Sequence, residues 1–132
     1  MKPRLALVPG EPAGVGPELC VRLAQLALPA DLVAIADPDT LAAAARRLDL
    51  PLRLREPGQL CAPGELALIA QPQAAPVEFG RADPANARSV IDGLLRGATP
   101  PGVESGVRSH AAVSAAIAQG RADFGVCVEG VA

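Results

Sequence analysis

Leu5-Ala6-Leu7-Val8-Pro9-Gly10-Glu11-Pro12-Ala13-Gly14-Val15-Gly16-Pro17-Glu18 is an apolar run that feeds a turn rich in glycine and proline, with a helical pattern starting straight after it. Strand, tight loop, helix is the opening of an α/β unit built on a parallel sheet. Three glycines let the backbone turn sharply or approach a neighbour closely. Pro17 suits the first helical turn, where its missing N–H would have no intrahelical partner anyway. The loop is therefore expected to aim several N–H groups and a helix N-terminus at whatever lies above the strand, an arrangement that attracts anions, phosphate first among them. The spacing is neither G-x-G-x-x-G nor a P-loop ending in Lys-Ser/Thr, so a plain turn is the competing reading.

Working outward, Glu18 to Leu28 places Leu19, Leu23, Leu26 and Ala27 at helical spacing, which predicts a buried leucine face ended by Pro29. Asp31 to Ala36 is a continuous apolar run, as in a strand covered on both faces. Asp37-Pro38 is an N-cap followed by proline at the first helical position, opening an alanine-rich helix over Thr40–Leu48. Pro51 to Arg55 alternates leucine with arginine, the pattern of a half-exposed edge strand. A short strand follows over Leu66–Ala70, then a proline-containing loop to Gly80. Asp83-Pro84 repeats the capping device and opens a helix to about Arg96, with Ala87, Val90, Ile91, Leu94 and Leu95 as its apolar stripe. After a break at 97–102, a helix from Ser109 to Gln119 and a strand over Phe124–Val128 are expected. The fold class is α/β: a three-layer αβα arrangement with a parallel or mostly parallel sheet of about five strands, in one domain over 1–132.

Composition narrows the function classes. The 132 residues are half hydrophobic, carry a net charge of −2 and include two aromatics, Phe79 and Phe124. Stacking on nucleobases is nearly unavailable and there is no basic run, so no nucleic-acid partner is expected. Cys20, Cys61 and Cys127 are widely spaced and odd in number, and read as reduced, buried thiols rather than a disulfide framework or a zinc site. No run of spanning length or secretory leader is evident, so the expectation is a cytoplasmic protein with no membrane partner.

The stretch Val8 to Glu18 resembles the N-terminal signature of the 4-hydroxythreonine-4-phosphate dehydrogenase family. Three further stretches are similar to that family in order and spacing: Val33–Pro38, Leu50–Arg55 and Gly80–Ala87. The likeness runs from about Arg4 to about Arg96. It implies NAD-dependent oxidation of a phosphorylated amino-acid alcohol in pyridoxal phosphate biosynthesis, with three histidines on a divalent metal and substrate-binding residues further along the chain. This sequence departs from that pattern after Gly97. It lacks the family's glycine-histidine-threonine motif, and its one histidine, His110, matches no metal position. No catalytic residue, metal site or cofactor is therefore expected for this chain itself.

A second likeness covers about 30 residues. Arg108 to Val113 and Ala118 to Gly125 resemble a helix–strand segment of periplasmic-binding-protein-like domains. On this reading 1–96 is a dehydrogenase-like segment, 97–107 a linker and 108–132 a binding-protein-like helix and strand. The candidate substrate- or anion-binding residues are Glu11, Gly14 and Gly16 in the first loop and Arg108, Ser109 and His110 at the later helix start. Glu11 either orients a substrate hydroxyl or acts as a base, or accepts N–H bonds from its own turn. His110 reads as a surface or capping residue ahead of a ligand, since a catalytic zinc site needs about three protein ligands. Glu104 and Glu129 fall near the expected C-terminal end of the sheet, where open α/β sheets bind ligands. Three functional classes follow: a truncated or recombined dehydrogenase, a non-enzymatic binding module for a small phosphorylated or oxyanion ligand, and a chimera with no role beyond folding. A homodimer is among the expected partners, because an unpaired terminal strand invites association.

Overall fold

The computed structural model describes residues 2–95, with side chains through Val90. Its elements are β1 (Arg4–Leu7), α1 (Gly16–Ala24), β2 (Asp31–Ala36), α2 (Pro38–Leu48), β3 (Arg53–Arg55), β4 (Glu65–Ala70) and α3 (Pro84–Leu95). All pairings are parallel, and the strands lie in the order β1-β2-β4-β3. The fold is α/β, as the strand–loop–helix reading requires. Four strands make up the sheet among the described residues; the expected fifth, Phe124–Val128, and the helix Ser109–Gln119 lie outside them, as do the linker and Arg108, Ser109 and His110.

The register decides which side chains share a face. Leu7 lies beside Ala34 and Ala34 beside Leu68, so these residues line one side with Leu32, Ala36, Leu54 and Leu66. Cys20 and Ala24 of α1 and Leu41 of α2 close over this side to form the main core. A second cluster, Val21 with Ala44 and Ala45, locks α1 against α2. The contacts are small residues, which lets the two helix backbones approach closely before side chains fill the gap. α3 makes its sheet contacts with β2, and its Val90 lines a small cavity at the C-terminal ends of the strands with Pro17 of α1, Ile35 and Ala36 of β2 and Leu41 of α2.

Two expectations are corrected here. The leucine face of α1 points outward: Leu19 is 53% and Leu26 56% exposed, while Pro17, Cys20, Val21 and Ala24 are buried. The buried stripe keeps helical spacing but is rotated onto smaller residues, because α2 leaves no room for leucines between the helices. The helix also ends at Ala24, four residues early, and Gln25 turns its side-chain amide onto the carbonyls of Val21 (3.0 Å) and Pro51 (2.9 Å). The second correction concerns Cys61, which is exposed on the connector between β3 and β4, whereas Cys20 is buried as expected. Arg55, on the edge strand, is hydrogen-bonded to Glu65 on β4, with Arg53 4.0 Å from the same carboxylate, so these arginines brace the sheet edge.

Candidate functional site

The C-terminal ends of β1, β2 and β4 meet at one edge of the sheet, the edge at which open α/β folds bind ligands. Three segments converge there: the loop Val8–Val15, the β2–α2 turn at Asp37, and the stretch from Gln71 to Asp83.

The first loop is held by its own acid. Glu11 is buried, and its Oε1 accepts the N–H of Ala13 at 3.0 Å while its backbone carbonyl accepts the N–H of Gly14 at 3.0 Å. Two N–H groups of the loop are thus taken by Glu11, and Pro12 and Pro17 have none to give. The carboxylate occupies the role that a bound anion would have at such a turn. Gly10 adopts φ +75°, a conformation that favours glycine. Gly16 is required for a different reason: a Cβ there would sit 1.7 Å from the Pro9 carbonyl oxygen. The first turn of α1 is therefore pressed directly onto the end of β1. No side chain caps α1, whose N-cap is Val15.

Asp37 is the second organiser. Its Oδ1 accepts the N–H of Thr40 at 2.8 Å, capping α2, and its Oδ2 accepts the N–H of Gln73 at 3.2 Å. One carboxylate thereby fixes both the start of α2 and the segment that follows β4. Asn86, almost fully buried on α3, accepts the N–H of Ala75 at 2.9 Å. The N–H of Gly80 in turn reaches the carbonyl of Ala13 at 2.8 Å, tying the third segment to the first. Arg47 of α2 closes the outer end, with its guanidinium 4.5 Å from the centre of the Phe79 ring and its Nε 3.3 Å from Glu18.

The space enclosed is small. Between Pro9, Gly10, Asp37, Thr40, Gln73 and Val90 the cavity is about 20 Å³, near the size of one water molecule. A wider opening of about 470 Å³ lies between α2 and residues 73–79, where Asp39 and Arg46 flank it. Among the described residues the buried Oε1 of Gln73 has no hydrogen-bond partner. Among the described residues no group of three or more His, Cys, Asp or Glu is placed to hold a metal.

Of the residues singled out from sequence, the structure places Glu11 and Gly14 in the first loop and Gly16 directly after it, as the first residue of α1; Arg108, Ser109 and His110 lie outside the described residues. Sequence reasoning recognised Asp37 only as a helix cap and missed Gln73 and Asn86. Asp37-Pro38 is a local signal, but the bond to Gln73 spans 36 residues and leaves no trace in either neighbourhood.

No protein-family model matches the chain. Over 100 residues it is 61% identical to the 4-hydroxythreonine-4-phosphate dehydrogenase of Xanthomonas oryzae pv. oryzae, and over 99 residues 59% identical to that of Stenotrophomonas maltophilia. These alignments take in 74% and 72% of this chain but only 31% and 30% of those proteins. Among solved structures, the fold is similar to that of the 4-hydroxythreonine-4-phosphate dehydrogenase of Burkholderia phymatum, with a TM-score of 0.66 at 18% identity, over 73% of this chain and 32% of that one. It is also similar to the Klebsiella pneumoniae enzyme, with a TM-score of 0.53 at 23% identity, over 72% and 31%.

Proposed function

We propose that residues from about 4 to 96 are the N-terminal segment of a 4-hydroxythreonine-4-phosphate dehydrogenase-like protein, and that this chain supplies the first strands of that fold without its chemistry. What supports the reading is one contrast: about 60% identity to such dehydrogenases, over a stretch that spans about 30% of their length. The activity carried by the resemblance is oxidation of a phosphorylated amino-acid alcohol by NAD with a divalent metal, which polarises the reacting oxygen. The residues present do not fit the metal. One histidine in the whole chain cannot provide a three-histidine set, and Glu11, the acid of the first loop, is engaged by its own turn. The first loop serves as a wall of the cleft, positioned by Glu11 and Asp37, and a small phosphorylated ligand is the class of partner it would border. The remaining residues are a recombined, chimeric continuation of the chain. Cys20 and Cys61, free among the described residues, accord with a cytoplasmic setting; no helix among the described residues is long and apolar enough to cross a membrane.

The test is NADH formation by the folded chain supplied with 4-hydroxythreonine 4-phosphate, NAD and a divalent metal. No rate above the protein-free control is expected. Turnover would refute the reading, because it would require a metal and substrate site built without the family's histidines.

A further inference from the structure

We infer that the small cavity at the ends of the strands is a binding site for one internal water molecule, held between Asp37, Thr40 and Gln73. Exposure alternates from Gln71 to Phe79, with the odd-numbered residues turned inward, as in an extended segment lying on a core. The backbone fixes that setting at three points. The N–H groups of Gln71, Gln73 and Ala75 donate to the carbonyl of Ala36 at 2.9 Å, to Asp37 Oδ2 at 3.2 Å and to Asn86 Oδ1 at 2.9 Å. Gln73 thus carries its amide to a space whose apolar walls include Ile35, Leu41 and Val90. Its Oε1 is buried there and meets no donor among the described residues. A buried acceptor left without a partner is costly, and native interiors satisfy such groups with protein or with ordered water.

Room, partners and a path all favour water. The cavity of about 20 Å³ exceeds the roughly 10–15 Å³ that one water requires. Asp37 Oδ1 and Oδ2 each accept one N–H and keep a lone pair, and the hydroxyl of the buried Thr40 both donates and accepts. A water among them donates to Gln73 Oε1 and to Asp37 and accepts from Thr40, the three or so bonds usual for a buried water. Asp37, Thr40 and Gln73 also line the wider opening of about 470 Å³, so a polar neck connects the site with solvent. The water adds a second tie, beside the direct Asp37–Gln73 bond, between the start of α2 and the segment after β4. This site does not depend on the dehydrogenase reading.

The test is a pair of water-selective NOE and ROE spectra on the full chain. Cross-peaks of opposite sign in the two spectra, from water to the methyl protons of Ile35, Leu41 or Val90, are expected, the mark of a long-lived water in contact. Gln73→Leu should lose these cross-peaks, and Gln73→Glu, whose carboxylate still accepts, should keep them. Their absence from the parent chain would overturn the assignment. Their persistence in Gln73→Leu would also overturn it and assign the signal to exchange through the Thr40 hydroxyl. Val90→Ile covers the case in which the Gln73 variants unfold. Its extra methylene takes the room of the water and leaves Gln73 Oε1 unpaired, so the cross-peaks should vanish and Tm should fall by about 4 °C. An unchanged or raised Tm would show that the space is dry, and the site would be withdrawn.

Discussion

Replacing Asp37 by alanine is the sharpest test of how the cleft is held. The carboxylate makes two bonds of different kinds: a cap on Thr40 at 2.8 Å and a long-range tie to Gln73 at 3.2 Å. Loss of an N-cap costs about 1 kcal/mol. Leaving the part-buried Gln73 N–H without an acceptor costs about 1–3 kcal/mol more. Asp37→Ala should therefore destabilise the protein by about 3 kcal/mol, which at about 4 °C per kcal/mol lowers Tm by about 12 °C. Asp37→Ser separates the two contributions, since serine caps the helix but is too short to reach Gln73. It should recover about 1 kcal/mol and leave a loss of about 2 kcal/mol. Urea unfolding followed by far-UV circular dichroism, with slopes compared to exclude a change in the unfolded state, gives these values. If Asp37→Ala costs less than about 1 kcal/mol, or if serine is no better than alanine, the dual role assigned to Asp37 is wrong.

Gly16→Ala places a methyl 1.7 Å from the Pro9 carbonyl, so the gain in helix propensity of about 1 kcal/mol is outweighed and a net loss of about 2 kcal/mol is expected by thermal unfolding. A neutral or stabilised variant would show that the loop yields at that point. The Arg55 hydrogen bond holds the Glu65 carboxyl below its ordinary value of 4.5, so its contribution is fully present above that pH and fades as pH falls through the lower folded-state value. Glu65→Gln should accordingly flatten the acid limb of the stability profile, and an unchanged limb would remove Glu65 from the account. Burial pushes the Cys20 thiol up to about 11, while Cys61 is exposed. At pH 8, iodoacetamide followed by mass spectrometry should label Cys61 in the native protein and Cys20 only after unfolding; equal rates would contradict the packing of α1.

The parts of the fold legible in the sequence are those written locally. Asp37-Pro38 and Asp83-Pro84 announce helix starts, and Asp31–Ala36 announces a strand with its limits intact. The rotation of α1 was not legible, because Leu19 and Leu26 satisfy helical spacing as well as Cys20 and Ala24 do. Only the proximity of Ala44 and Ala45 selects between the two faces. Within the candidate site, the glycines of the first loop were visible as a turn, but the reason for Gly16 depends on where the Pro9 carbonyl falls. Gln73 and Asn86 sit in stretches with no periodicity, and their roles come from partners many residues away.

The placement of β4 between β2 and β3 has a consequence for biosynthesis. β4, one of the two inner strands of the described sheet, is the last of its four to be made, and its end at Ala70 follows the end of β2 by 34 residues. At about 5–20 residues per second, the ribosome leaves the Val33–Ala36 edge waiting for about 2–7 s. During that interval an apolar edge is open to other nascent chains. The order of strands therefore makes the yield of this protein a matter of translation speed and chaperone supply as well as of final stability. Slowing the ribosome between Asp37 and Gly64 should lower the soluble fraction more than slowing it after Ala70.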